Sequence, residues 1–244
     1  MRVLIVGATS AIAGETAKAY ARDGARLFLT GRDAARLASV RDDLLVRGAA
    51  QVETAQMDVA RIPSHRQVID SAIAALGGLD VALIAHGTLP DQARCQQDVS
   101  EMLDAMQVNF TATVALLTLL ANYFEAQRSG CIAVITSVAG DRGRQSNYVY
   151  GAAKGGVDRF LQGMRNRLFR SGVAVVTIKP GLVETPMTAG MKKSLLFASA
   201  RRVGLGIHRA IERRQSVAYI PWFWRPIMAV IKCLPEDIFK RLQL

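Results

Sequence analysis

A chain of 244 residues, half of them apolar, can bury a substantial core, and α/β domains of this size are commonly single units. Its formal charge is +11, and its three cysteines, Cys95, Cys131 and Cys233, are far apart and free of C-x-x-C or metal-like spacing. A disulfide scaffold and a metal centre are therefore not expected, and the scattered His65, His86 and His208 read as surface or packing residues. No linker, low-complexity tract or fixed-period repeat interrupts the chain, which predicts one domain over 1–244. The N-terminal apolar run is too short for a secretory or spanning segment, so a cytosolic protein is expected.

In chain order, the first apolar run, 3–6, predicts a strand that enters the turn Gly7-Ala8-Thr9-Ser10-Ala11-Ile12-Ala13, with a helix through Tyr20 beyond it. Such a turn can bring backbone N–H groups and a helix N-terminus to a pyrophosphate, with Gly7, Thr9, Ser10, Ala11 and Ile12 as the candidate contacts. By itself it is equally a βα turn that binds nothing. The second strand, 26–30, runs into Gly31-Arg32-Asp33. The Arg32 guanidinium can grip a phosphate bidentately, which favours NADP(H) over the alternative NAD(H), unless Arg32 is only a solvated loop charge. Asp33 is placed to cap the helix starting at Ala34.

The third strand, 52–57, leads to Asp58-Val59, and the fourth, 81–85, to His86-Gly87. Asn109 interrupts an apolar helix that contains Thr113 and Leu120. The fifth strand, 131–136, ends on Ser137. Thirteen positions later comes Tyr150, four before Lys154 on a predicted helix, so a phenol and an ammonium share one face and can act on the same proton. Tyr148 has no lysine four ahead. The sixth strand, 173–178, passes into Lys179-Pro180-Gly181-Leu182-Val183-Glu184-Thr185-Pro186. Continuous Val/Ile/Leu runs separated by helical patterns predict a doubly wound, Rossmann-type, three-layer α/β/α fold with a mostly parallel sheet.

Asn109, Ser137, Tyr150 and Lys154, in this order and downstream of a glycine-bearing strand-to-helix turn, resemble the short-chain dehydrogenase/reductase family over about residues 2–190. The resemblance implies a seven-stranded sheet, completed by a short strand near 217–220, and an NADP-dependent oxidoreductase acting on CH–OH groups. It implies Tyr150 as acid and base, with its pKa lowered by Lys154 and oxidised nicotinamide. Lys154 would also bind the nicotinamide ribose, Ser137 the substrate oxygen, and Asn109 a relay water. It places Asp58 and Val59 at the adenine edge, Ala85 and Gly87 along the cofactor, and the Pro180-Gly181 loop with Val183 and Thr185 at the carboxamide. Family members commonly pair through the helices holding Thr111 and Tyr150, so a homodimer or homotetramer is expected. The chain departs from the family's Gly-x-x-x-Gly-x-Gly turn at Ala11 and Ala13, and from its Asn-Asn-Ala-Gly at Ile84, Ala85 and His86. An added methyl where backbone meets ligand predicts weaker cofactor binding or a displaced turn. A non-catalytic dinucleotide-binding sensor or interaction protein is the alternative function.

The substrate is less legible. Residues 187–244 carry eleven Lys/Arg against three acids. The resemblance lays the segment 187–220 over the substrate, where Lys192, Lys193, Arg201 and Arg202 would attract an anionic substrate, unless they form a solvated face. No motif accompanies the charge, so nucleic acid is not expected. The basic, aromatic segment 221–244 holds both tryptophans, Trp222 and Trp224. It suits a helix lying on a membrane, a subunit contact or lid, or simple core packing. With the Gly-Ala-Thr-Ser turn it looks like reductases of lipid-linked sugars, of the decaprenyl-phosphoryl-2-keto-pentose reductase kind, which implies a lipid-linked carbonyl substrate.

Overall fold

The structure is a computed structural model that describes residues 1–242. Strands β1 (Arg2–Val6), β2 (Arg26–Gly31), β3 (Gln51–Gln56), β4 (Val81–Ile84), β5 (Cys131–Ile135) and β6 (Ala174–Pro180) fall where the apolar runs predict them, within two residues at either end. Two short strands, β7 (Val183–Glu184) and β8 (Ala198–Ser199), pair with each other outside the main sheet. β9 (Val217–Ile220) pairs with β6 and completes a seven-stranded sheet of order β3-β2-β1-β4-β5-β6-β9. Every ladder is parallel, so the sheet is more uniform than expected.

A parallel sheet must be covered on both faces, and the period-2 alternation of β1 shows how. Val3 and Ile5 point to one layer with Ala13, Ala17, Leu37 and Ile207. Leu4 and Val6 point to the other with Ile69, Leu116, Leu120 and Leu161. The first layer is thus α1 (Ala11–Arg22), α2 (Ala34–Val46) and α8 (Ala200–Glu212); the second is α3 (His65–Leu76), α6 (Ala112–Gln127) and α7 (Tyr148–Phe169). Each fully buried Val, Leu or Ile contributes about 1.5–3 kcal/mol. Two smaller helices, α4 (Gln92–Gln97) and α5 (Val99–Met106), precede a π-helical turn at Gln107–Thr111. The helical run Val99–Gln127 is long and apolar enough to cross a membrane, but α6 within it packs on the sheet.

α8 lies close against α1: a Cβ on Gly204 would come within 2.9 Å of the Thr16 amide, and Thr16 Oγ1 donates to the Gly204 carbonyl at 3.4 Å. Of the segment 187–220, then, α8 and β9 belong to the layers of the fold. The stretch before α8 is a surface loop that exposes Met187, Met191 and Leu195. After a cis Ile220–Pro221 peptide, α9 (Trp224–Cys233) and α10 (Glu236–Phe239) end the described chain.

Candidate active site

The strand order reverses between β1 and β4, and in sheets of this type ligands bind at that switch point, beyond the carboxyl ends of the strands. The candidate residues gather there. Gly7 follows β1 with φ +84°, and a Cβ on it would meet the His86 backbone at 2.7 Å. Only glycine joins that left-handed turn to the end of β4. Ser10 caps α1, accepting from the Ala13 N–H at 3.2 Å, while the first helical amides, at Ala11 and Ile12, have no intrahelical acceptor. The Ala13 methyl is fully buried between α1 and the sheet, so packing absorbs the added carbon there.

Ser137, Tyr150 and Lys154 are brought together by a backbone contact. Ser137 caps the short turn Val138–Gly140, its Oγ accepting from the Ala139 N–H at 3.1 Å. That turn rests on α7: a Cβ on Gly155 would lie 2.8 Å from the Gly140 carbonyl oxygen, and one on Gly151 would lie 2.9 Å from that of Ala139. The glycines of the Tyr-Gly-Ala-Ala-Lys-Gly stretch thus let the serine turn touch the helix, which brings the Ser137 hydroxyl close enough to act on the Tyr150 phenol. Lys154 is buried, its Nζ 5.8 Å from the Tyr150 ring centroid and donating to the Ile135 carbonyl at 3.1 Å. Asn109 sits in the π-turn. Its Oδ1 accepts the Thr88 N–H at 3.0 Å, and its Nδ2 donates to the Thr88 and Ala105 carbonyls, both at 3.0 Å. Its amide is committed to protein partners, and its visible work is to clip the β4 loop to α5. Gly87 lies between: a Cβ there would stand 2.9 Å from Asn109 Oδ1 and 3.2 Å from Lys154 Nζ.

Burial pushes Tyr150 up to about 12, opposed by the Ser137 hydrogen bond, and pushes Lys154 down to about 8. The expected lowering of Tyr150 is therefore not a property of the chain alone, since desolvation of the phenolate dominates. His86, the local departure, is held at about 3 by burial and by the nearby Lys154 charge, and its Nε2 is 3.1 Å from Thr113 Oγ1. It is a neutral packing group at ordinary pH. His65 is likewise internal, its Nε2 donating to the Val59 carbonyl at 2.8 Å and so anchoring the loop after β3.

At the second strand, Arg32 is exposed and Asp33 caps α2, accepting from the Arg36 N–H at 3.0 Å, as its position in the sequence predicts. Arg36 was not singled out from the sequence. Its guanidinium reaches the Thr9 carbonyl at 3.4 Å and so stands beside the glycine turn, while Arg32 follows Gly31, where a Cβ would lie 3.3 Å from the Thr9 methyl. Their four-residue spacing across a helix start was the available signal. Asp58 is exposed and turns its carboxylate onto the Ala60 N–H at 3.0 Å, the capping alternative. Ala85 extends the β1 ladder, donating to the Val6 carbonyl at 2.8 Å. Beyond Pro180, Val183 is buried in β7, and Thr185 closes a capping box with Thr188.

The sequence did not reveal how far the C-terminal segment reaches into this site. A Cβ on Gly181 would fall inside the Trp224 indole, whose Nε1 is buried without a partner. Trp224 and Met228 pack with Val138, the residue after Ser137. Arg142 holds the segment's far end, Nη1 donating to the Ile231 carbonyl at 2.9 Å and the Leu234 carbonyl at 2.6 Å, with its guanidinium 3.9 Å from the Phe239 ring centroid. Lys179 pairs with Asp141 at 2.5 Å and Asp158 at 2.9 Å, and Tyr219 donates to Asp141 at 2.7 Å. One face of the segment is therefore core packing; Trp222, Val230 and Ile238 remain exposed.

Comparison with known proteins agrees with this arrangement. A family model described as short chain dehydrogenase matches residues 1–195. An uncharacterised oxidoreductase of Mycobacterium tuberculosis is 35% identical over 240 residues, covering 98% of this chain and 96% of its own. An uncharacterised oxidoreductase of Streptomyces coelicolor is 33% identical, covering 98% and 95%. Among solved structures, levodione reductase superposes with a TM-score of 0.81 at 21% identity, covering 89% of this chain and 95% of its own. A variant of actinorhodin polyketide ketoreductase with NADPH gives 0.79 at 22%, covering 89% and 94%. These likenesses and the assembled serine, tyrosine and lysine make one conclusion: the chain is an oxidoreductase belonging to the short-chain dehydrogenase/reductase family.

Proposed function

We propose that this chain interconverts a ketone and a secondary alcohol with NADP(H) as the preferred cofactor, Tyr150 giving or taking the proton. The observation that carries the reading is the serine turn packed on α7, which sets Ser137 beside Tyr150, with the buried Lys154 ammonium 5.8 Å from the Tyr150 ring centroid, at the switch point of the sheet. A bound nicotinamide dinucleotide supplies or accepts the hydride. The residues fit such a group: a positive-φ glycine turn, helix amides without intrahelical acceptors, and a buried ammonium beside Gly87. Gly7, Thr9, Ser10, Ala11 and Ile12 would hold it at one end, Asp58, Val59, Ala85 and Gly87 along its length, and Pro180, Gly181, Val183 and Thr185 at the other.

In reduction, the Tyr150 hydroxyl donates its proton to the carbonyl oxygen while the Ser137 hydroxyl bonds the same atom and stabilises its growing charge. Lys154 offsets the cost of the phenolate left behind, which burial raises. Tyr150→Phe should lose at least about 10²-fold in kcat while binding NADPH as before; full turnover on an identified ketone would overturn the mechanism.

Arg32 and Arg36 support the cofactor preference, because the Arg36 guanidinium beside the glycine turn and the exposed Arg32 four residues before it suit a phosphate. Replacing either by Ala should weaken NADPH by about 10-fold and NADH little, and equal efficiency with both cofactors in the unaltered protein would remove the preference.

A lipid-linked substrate and contact with a membrane surface belong to the same proposal. Trp222, in the turn before α9 and exposed by 74%, and Val230 of α9, exposed by 65%, lie near Arg225 and Lys232 in the chain. Because Trp224 and Met228 pack inward, the test keeps the segment: Trp222→Ser with Val230→Ser should abolish co-sedimentation with anionic vesicles, and no binding by the parent would remove the idea. Phe160 and Phe169 on the outer face of α7 support pairing of two copies, which light scattering would measure.

A further inference from the structure

Three buried polar atoms stand without hydrogen-bond partners near the reactive pair: Nε of Arg144, Oδ1 of Asn147 and Nε2 of Gln92. All three residues are tied to the start of α7, Gln92 through its side chain and Arg144 and Asn147 through their backbone. Gln92 Oε1 accepts the Val149 N–H at 3.1 Å. The Asn147 N–H donates to the Arg144 carbonyl at 3.2 Å, and the Asn147 carbonyl accepts from Gly151, the residue after Tyr150, at 2.8 Å. On the other side, Arg144 Nη2 lies 3.5 Å from Sδ of Met228, which packs with Val138 beside Ser137. Gln92 of α4 and the residues Arg144 and Asn147 thus adjoin the start of α7, with Arg144 reaching Met228 of α9.

Among the described residues no carboxylate lies within ion-pair distance of Arg144. Asp141, the acid near it, is taken by Lys179 and Tyr219. A half-buried guanidinium keeps its proton, so it carries a charge that only the more distant Asp141 offsets in part, a costly arrangement that a bound anion would relieve. Each amide presents one donor end and one acceptor end whichever way it is turned.

We propose that Arg144, with Asn147 and Gln92, forms the polar end of the substrate pocket, and that the substrate is a ketone bearing an oxyanion, carboxylate or phosphate, flanked by hydroxyl groups. The inference rests on the reductase reading above and adds the substrate class to it. A neutral, apolar ketone would leave all three groups unpaired, and sites built with buried polar groups reject such analogues strongly. Lys192 and Lys193 are exposed on the loop before α8, and Lys193 already pairs with Glu184 at 3.1 Å, so they can attract an anion but are less suited to select one.

The test compares matched ketones in NADPH oxidation: 4-oxopentanoate and 5-oxohexanoate against their methyl esters, and dihydroxyacetone phosphate against dihydroxyacetone, which separates carboxylate from phosphate. The anionic member should be preferred in kcat/KM by about 10- to 100-fold, and Arg144→Met should cut that ratio at least about 10-fold while Arg144→Lys keeps most of it. A preference for the neutral members, or a ratio that falls in Lys192→Met with Lys193→Met but not in Arg144→Met, would overturn the proposal. Thermal shift of the NADPH-loaded full chain by the same oxo acids and by dihydroxyacetone phosphate gives a readout without turnover. If no ketone is reduced, the reductase reading fails; a shift that Arg144→Met removes then still supports the anion subsite, and no shift overturns it.

Discussion

Burial holds Lys154 down to about 8 and Tyr150 up to about 12, so at neutral pH the folded chain keeps a disfavoured cation beside a neutral phenol. For Lys154 the unfolded chain binds more protons than the folded one between about pH 8 and 10.5, so stability rises with pH through that window. For Tyr150 the folded chain keeps its proton longer, and stability falls between about pH 10 and 12. Charging Lys154 at neutral pH costs about 3 kcal/mol. Lys154→Met should therefore be more resistant to urea than the parent at pH 7, with the difference narrowing by pH 10, and should lose activity. A gap that stays constant with pH would mean that the buried charge is not its origin. This trade is legible in part: Tyr150 and Lys154 stand four apart in the sequence, but the desolvation that moves both appears only when α7 is packed.

At the scale of elements, the decisive contact is glycine on glycine. Gly140 meets Gly155 with no room for a Cβ on either, and this sets Ser137 against Tyr150. Gly155→Ala should cost about 1–3 kcal/mol and lower activity further than a stability loss alone explains, because the serine turn must lift off α7. The check is kcat measured well below the melting temperature. Gly151 and Gly155 are visible in the sequence, but their role is not, since their partner turn lies more than ten residues earlier. The π-turn is a similar case. A helix through Thr113 and Leu120 was legible from its apolar run, whereas the irregular turn holding Asn109 depends on the Thr88 loop it clasps. Arg142 is the corresponding device for the tail. Arg142→Ala should release α10 and the end of α9, raising KM for the ketone by about 10-fold with little change in NADPH affinity.

Across the whole molecule, Lys179 of β6 joins Asp141 of the catalytic loop, Asp158 of α7 and, through Asp141, Tyr219 of β9. Removing one partner of such a buried group leaves like charges unpaired, which typically costs about 3–5 kcal/mol. Lys179→Met should show that loss in urea melts followed by tryptophan fluorescence, and a change under about 1 kcal/mol would show the network to be solvated. The same junction explains why the tail was ambiguous. Its aromatics and cations suit a membrane, a subunit or a core equally well, and a one-dimensional pattern does not say which face of α9 meets Val138.

The order of strands and helices, the family and the identity of the four catalytic candidates were determined by the sequence itself. Hydrophobic periodicity and short-range spacing are local properties that survive without coordinates. What only the tertiary structure decided is how those residues are charged and what surrounds them. The buried Lys154, the Arg36 beside Thr9, the Trp224 over Gly181 and the unpaired Arg144 all arise from contacts between segments far apart in the chain. Desolvation and close approach depend on which surfaces meet, and that is settled only when the layers close over the sheet.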